Sequence, residues 1–128
     1  MSLPRKILET KILCQTVCNI TKRESTQTEI KVLYFIDEYE SCTPSVLISK
    51  LGIVKSNLAL LTKKMIKDNL IIAKKSLYDK RSIFYSITPT GKKMLNEYLL
   101  ELEKVIHKNE YEVEQSLNKV LDYLNKKV

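Results

Sequence analysis

The sequence is poor in the residues on which most small-molecule chemistry depends. Only two glycines occur, Gly52 and Gly91. A phosphate-binding loop or a dinucleotide turn needs several, because backbone amides must come close to the phosphates, so both are excluded. There is a single histidine, His107, and therefore no HExxH zinc site. It lies in the polar helical stretch Lys104-Val105-Ile106-His107-Lys108, and a solvated surface side chain is a better account of it than the base of a Ser-His-Asp triad. Three cysteines are too few, and odd in number, for a disulfide framework, which fits a reducing cytoplasm. Cys14, Cys18, Cys42 and His107 supply four zinc ligands on paper, but the Cys-x3-Cys pair has no second pair to match it. The longest apolar run is Val32-Leu33-Tyr34-Phe35-Ile36, far short of the roughly 18 residues that cross a bilayer. No apolar stretch follows Arg5 and Lys6, so a secretory signal is not expected there. Tryptophan is absent, and the basic helices lack the aromatic face of a membrane-surface helix. Neither catalysis nor a metal or other cofactor is expected.

What is present is charge in one place. The 128 residues suit one compact domain and carry a formal net charge of +7. Residues 1–40 are neutral overall and residues 94–128 sum to −2, whereas residues 41–93 reach +9. A middle segment so basic between near-neutral flanks is the electrostatic footprint of a polyanion-binding surface. A lysine-rich solvated surface is the bland alternative.

Hydrophobic periodicity sets the elements. Residues 4–20 read as a helix with Ile7, Leu8, Ile12, Leu13 and Val17 near helical spacing. Thr26 and Glu29 form a capping box for a second helix, with Ile30, Leu33, Tyr34 and Ile36 continuing to about Tyr39. Thr43-Pro44 starts a third, which buries Leu47 and Leu51 and ends at Gly52. A fourth spans about 55–68, with Leu58, Leu61, Met65 and Ile66 toward the core and Asn69 closing it. Residues 70–75 and the alternating Ser82–Ile87 read as two strands around a polar tip, residues 76–81. Thr88-Pro89 opens a helix with a Leu95, Leu99, Leu102, Ile106 stripe, and a last helix carries Val113, Leu117, Val120, Leu121 and Leu124.

A helix-turn-helix followed by a two-stranded hairpin is a winged helix-turn-helix. The fold expected is mainly α with a small β-hairpin, flanked by dimerisation helices. The segments Thr43-Pro44-Ser45-Val46-Leu47-Ile48-Ser49-Lys50-Leu51-Gly52-Ile53, Asn69-Leu70-Ile71, Asp79-Lys80-Arg81-Ser82 and Ile87-Thr88-Pro89-Thr90-Gly91 resemble the MarR family of transcriptional regulators. The resemblance covers about residues 26–100. The Asp-x-Arg wing followed by a strand and Thr-Pro-x-Gly carries most of its specificity. Three positions depart from the family pattern. Asn69 stands where glycine is common, Leu60 where a polar or basic residue is frequent, and Val54 where a small hydroxyl residue often caps the recognition helix.

The resemblance implies a non-enzymatic, cytoplasmic regulator, most often a repressor, acting as a homodimer on palindromic operators of a bacterial or archaeal nucleoid. Within a single domain, residues 26–88 would form the DNA-binding lobe, and residues 1–20 and 89–128 the dimerisation unit. The N-terminal turns of a recognition helix enter the major groove. Lys55, Ser56 and Asn57 occupy those turns; Asn57 suits adenine and Leu60 a thymine methyl. Lys63 and Lys64 suit phosphates, and Thr43, Ser45 and Lys80 complete the expected DNA-facing set. The family pattern puts Arg81 in the minor groove with Asp79 holding it. Ile12, Leu99, Leu102, Ile106, Val113, Leu117, Leu121 and Leu124 are the expected dimer contacts. Some relatives sense oxidants through a cysteine in the region of Cys14 and Cys18. Many bind small aromatic acids between the two units, where Tyr34, Tyr39 and Tyr98 are candidate walls. Two other classes stay open at this point: a winged-helix protein-interaction module without DNA binding, and a thiol or zinc protein using the cysteines.

Overall fold

The computed structural model describes residues 2–20, 27–39, 42–77, 82–106 and 110–127. The elements are α1 (Leu3–Ile20), α2 (Gln27–Glu38), α3 (Pro44–Leu51), α4 (Lys55–Lys67), β1 (Ile71–Lys75), β2 (Ile83–Ile87), α5 (Pro89–Ile106) and α6 (Glu110–Lys127). The fold is mostly helical, with one two-stranded antiparallel sheet.

Local chemistry accounts for the boundaries. Thr43 is extended and its hydroxyl accepts from the Val46 amide at 3.3 Å, while Pro44 occupies the first turn of α3. Gly52 ends that helix at φ 66°, its amide donating to the Ile48 carbonyl at 2.9 Å. Asn69 adopts φ 59° after α4, the left-handed conformation that asparagine tolerates. Thr88 then ties the sheet to α5. Its hydroxyl faces the Asn69 carbonyl at 2.6 Å and the Leu70 carbonyl at 3.0 Å, and accepts from the Gly91 amide at 3.0 Å.

The strands pair Ile71 with Ile87 through Lys75 with Ile83. Cys42 bridges the other edge of β2, its carbonyl accepting from the Tyr85 amide at 2.8 Å. The core gathers under this sheet. Val32, Leu33, Leu47, Met65, Ile71 and Leu95 are fully or almost fully buried, with Leu58, Tyr85 and Tyr98 beside them.

Several core expectations need correction. Tyr34 and Ile66 are exposed, whereas Val32 and Thr62 on the same two helices are buried. Thr62 is tolerated there because its hydroxyl donates to the Leu58 carbonyl at 2.9 Å. Leu99, named for the dimer surface, faces outward, and Tyr98 takes the inner position, its hydroxyl 2.8 Å from the Gln27 Oε1. Of the expected capping box, Thr26 lies outside the described residues. Glu29 is buried and holds the Lys64 ammonium at 2.7 Å.

The flanking helices stand apart from this core. Every described side chain of α1 and α6 is exposed, including Leu8, Ile12 and Leu13 on α1 and Val113, Leu117, Val120 and Leu121 on α6.

Candidate nucleic-acid interface

Helices α3 and α4 meet at 115° across the turn 52–54, within the range of a DNA-binding helix-turn-helix. Packing decides which face of α4 is free. Leu58, Thr62 and Met65 are buried and Leu61 half-buried, so one stripe is committed to the core. Opposite it, at helical spacing, lie Ser56, Leu60, Lys63 and Lys67, all exposed. Asn57 and Lys64, also exposed, stand one turn-width to the side. Lys55 is exposed at the helix start. Lys67, on the outward line, was missing from the sequence-derived set, although its spacing from Leu60 and Lys63 was available as a signal.

The first turn of α4 carries a second feature. Its cap residue, Val54, has no side-chain acceptor and is 60% exposed. Helix N-termini carry partial positive charge and unsatisfied amides, which favours an anion there. No acidic residue occupies that first turn.

Other expected contacts divide. Ser45 is exposed at the start of α3. Thr43 is half-buried and its hydroxyl is already used as the α3 cap. The wing extends to Ser76, whose amide donates to the Ser82 carbonyl at 2.9 Å, and Leu77 beyond it is 95% exposed. Asp79, Lys80 and Arg81 lie outside the described residues.

Lys64 differs from the other lysines of α4. Its hydrogen bond to Glu29, and then the charge of that carboxylate, raise its pKa above the ordinary lysine value. As far as the lysine titrates, the pair's contribution is fully present below that ordinary value and fades only as pH rises past the raised one.

Between α2, α3 and α5 lies a cleft of about 440 Å³, lined by Ile30, Phe35, Leu51 and Leu95 with Lys31 and Lys50 at its edge. Tyr34 and Tyr98 line it as expected. Tyr39 does not. It stacks on Phe35 at 6.2 Å, with the Lys50 ammonium 6.0 Å from its ring.

The dimer candidates Ile12, Leu99, Val113, Leu117, Leu121 and Leu124 are exposed. Leu102 packs partly on the core, and the Ile106 side chain lies outside what is described. Cys14 is exposed on α1, and the Cys18 side chain is not among those described. Cys42 is buried, which pushes its thiol up and leaves it unreactive. Among the described residues no three His, Cys, Asp or Glu side chains cluster as metal ligands. No single helix among them is long and apolar enough to cross a membrane.

The molecule is similar in fold to several solved transcriptional regulators. Regulator Tm0710 from Thermotoga maritima is 23% identical with TM-score 0.68, the match covering 98% of this chain and 92% of that one. The apo form of MarR from E. coli is 19% identical with TM-score 0.71, over 94% and 97% of the two chains. A structure described as the multiple antibiotic resistance repressor MarR reaches TM-score 0.78 at 19% identity, over 99% and 94%. No curated protein matches the chain in sequence. The MarR family model matches residues 25–83, which run from the start of α2 to the start of β2 and include the recognition helix. That segment resembles the MarR family in sequence, and the chain as a whole has the winged-helix fold of the solved MarR-type regulators.

Proposed function

We propose that the chain is a sequence-specific duplex-DNA-binding regulator that represses transcription as a homodimer on palindromic operators in the cytoplasm. One observation carries this reading: the outward face of α4 is exposed, basic and free of acidic side chains, at 115° to its partner helix. Ser56, Asn57 and Leu60 are the base-reading candidates, Lys55, Lys63 and Lys67 the phosphate contacts. The exposed apolar stripes of α1 and α6 supply the dimer surface, and a two-fold axis would set two recognition helices about one DNA turn apart. The cleft beside Lys31 and Lys50 suits a small aromatic anion, which would release the operator.

Recovery of bound fragments from random duplex DNA tests the reading, and a palindromic consensus is the expected result. On the recovered duplex, Lys63→Ala should weaken binding across sequences and lower the slope of log affinity against log salt by about one. A slope equal to that of the unaltered protein would remove Lys63 from the phosphate contacts.

The wing makes a second prediction, on sequence grounds. Arg81 is the only arginine in the +9 segment, and a flat guanidinium fits a narrow minor groove better than an ammonium does. Arg81→Ala should weaken specific binding by roughly 1–3 kcal/mol, with partial recovery in Arg81→Lys. Asp79→Ala should also weaken it, because the arginine loses its anchor. Tighter binding by Asp79→Ala, measured on the same duplex, would mean that the wing acts only as charge.

A further inference from the structure

We infer that Lys64 is a positioning residue and not a phosphate contact: with Glu29 it forms a strut between α4 and α2 that fixes the roll of the recognition helix. The inference rests on the DNA-binding reading above. Three observations carry it. First, Lys64 stands off the line Ser56, Leu60, Lys63, Lys67 that points directly away from the core. Second, its ammonium lies 2.7 Å from the Glu29 Oε1. Third, the pair is lopsided: the Glu29 side chain is 4% exposed and that of Lys64 59%. A carboxylate so buried is fixed by its surroundings, and the low local dielectric strengthens its hold on the ammonium. An ammonium spent on a carboxylate adds little to the neutralisation of a phosphate.

The geometry also supplies a reason for the strut. The core grips α4 through a single stripe, Leu58, Leu61, Thr62 and Met65. Apolar contacts along one stripe resist separation more than rotation. A charged tie at the flank resists rotation, and a small roll of α4 would carry Ser56, Asn57 and Leu60 across the base edges. Loss of the strut should therefore damage discrimination between sequences more than general affinity for DNA.

The test uses the full chain, a duplex recovered by selection and a scrambled duplex of equal length. Glu29→Gln keeps shape and removes the charge, Lys64→Met removes the ammonium, and the double variant removes both halves of the tie. Each is expected to lower the affinity ratio of selected to scrambled duplex roughly tenfold, the double variant no further than the singles. The double variant should keep the salt slope of the unaltered protein, whereas Lys63→Ala lowers it by about one. In the free protein, amide hydrogen exchange should quicken in α4 but not in α3. A salt slope lowered by about one in the double variant, with the affinity ratio retained, would overturn the strut. So would Glu29→Gln binding both duplexes more tightly by one common factor. If the unaltered protein binds neither duplex, the regulatory reading fails, and unchanged α4 exchange in the variants would sink the strut separately.

Discussion

A Leu117→Glu variant is expected to be a monomer of 14.9 kDa by light scattering, where the unaltered chain gives twice that mass. Its affinity for a palindromic duplex should fall by about a hundredfold or more. The magnitude follows from tethering. A second half-site bound by a linked partner sees it at high effective concentration, which raises affinity by about 10²–10⁴ over a single site. Leu117 is 47% exposed and sits mid-helix between Val113 and Leu121 on the α6 stripe. Nothing in the single chain's core depends on it, so the substitution should leave the winged-helix lobe folded. A buried glutamate at the centre of an apolar interface would be unpaired and disfavoured. Far-ultraviolet circular dichroism serves as the fold control. A variant that stays dimeric with full affinity would move the interface off α6, and a monomeric unaltered chain would remove the two-fold operator argument.

The second large effect is on stability. Gly91 lies in the first turn of α5, where an added Cβ would stand 2.2 Å from the Leu70 carbonyl oxygen and 3.0 Å from the Ile87 side chain. That carbonyl is not free to retreat, because it accepts from the Thr88 amide at 3.1 Å and also faces the Thr88 hydroxyl. Relief would require α5 to move away from the root of the sheet, breaking the Thr88 cap. Gly91→Ala is therefore expected to destabilise by about 3 kcal/mol, the upper end for overpacking, and to lower the melting temperature by roughly 10 °C. Gly52→Ala is the matched contrast. Gly52 has open space around its Cβ position but a left-handed backbone, φ 66°. Its cost should be only about 1–2 kcal/mol. Urea denaturation of the two variants separates steric collision from backbone strain. Equal losses would mean that the approach of Gly91 to Leu70 is looser than the geometry shows.

The punctuation of the fold was legible in the sequence because single residues enforce it. Thr43-Pro44, Gly52, Asn69 and Thr88-Pro89 each mark the expected boundary. The basic outward face of α4 was legible for a similar reason, since a charged helix side must face solvent. Partnerships between distant elements were not. The spacing of Glu29 from Thr26 suggested a local cap and said nothing of its bond to Lys64, 35 positions away. Thr62 carried no signal of burial, because only the bond from its hydroxyl to its own helix makes the position tolerable. Tyr34 and Ile66 looked inward because an aromatic or aliphatic residue beside a stripe cannot be assigned a side by period alone. The sequence showed that the flanking helices were more apolar than one small core requires; only the structure shows their stripes standing exposed.

One turn of α2 serves two sites. Gln27, Ile30 and Lys31 line the cleft, and Glu29 among them grips α4. An occupant that shifts this turn and so weakens DNA binding by some factor must itself be bound less tightly on DNA by the same factor. Occupancy of the cleft and of the operator would then be two faces of one equilibrium. The coupling could be measured entirely from the ligand's side, by titrating it into free protein and into the protein saturated with duplex.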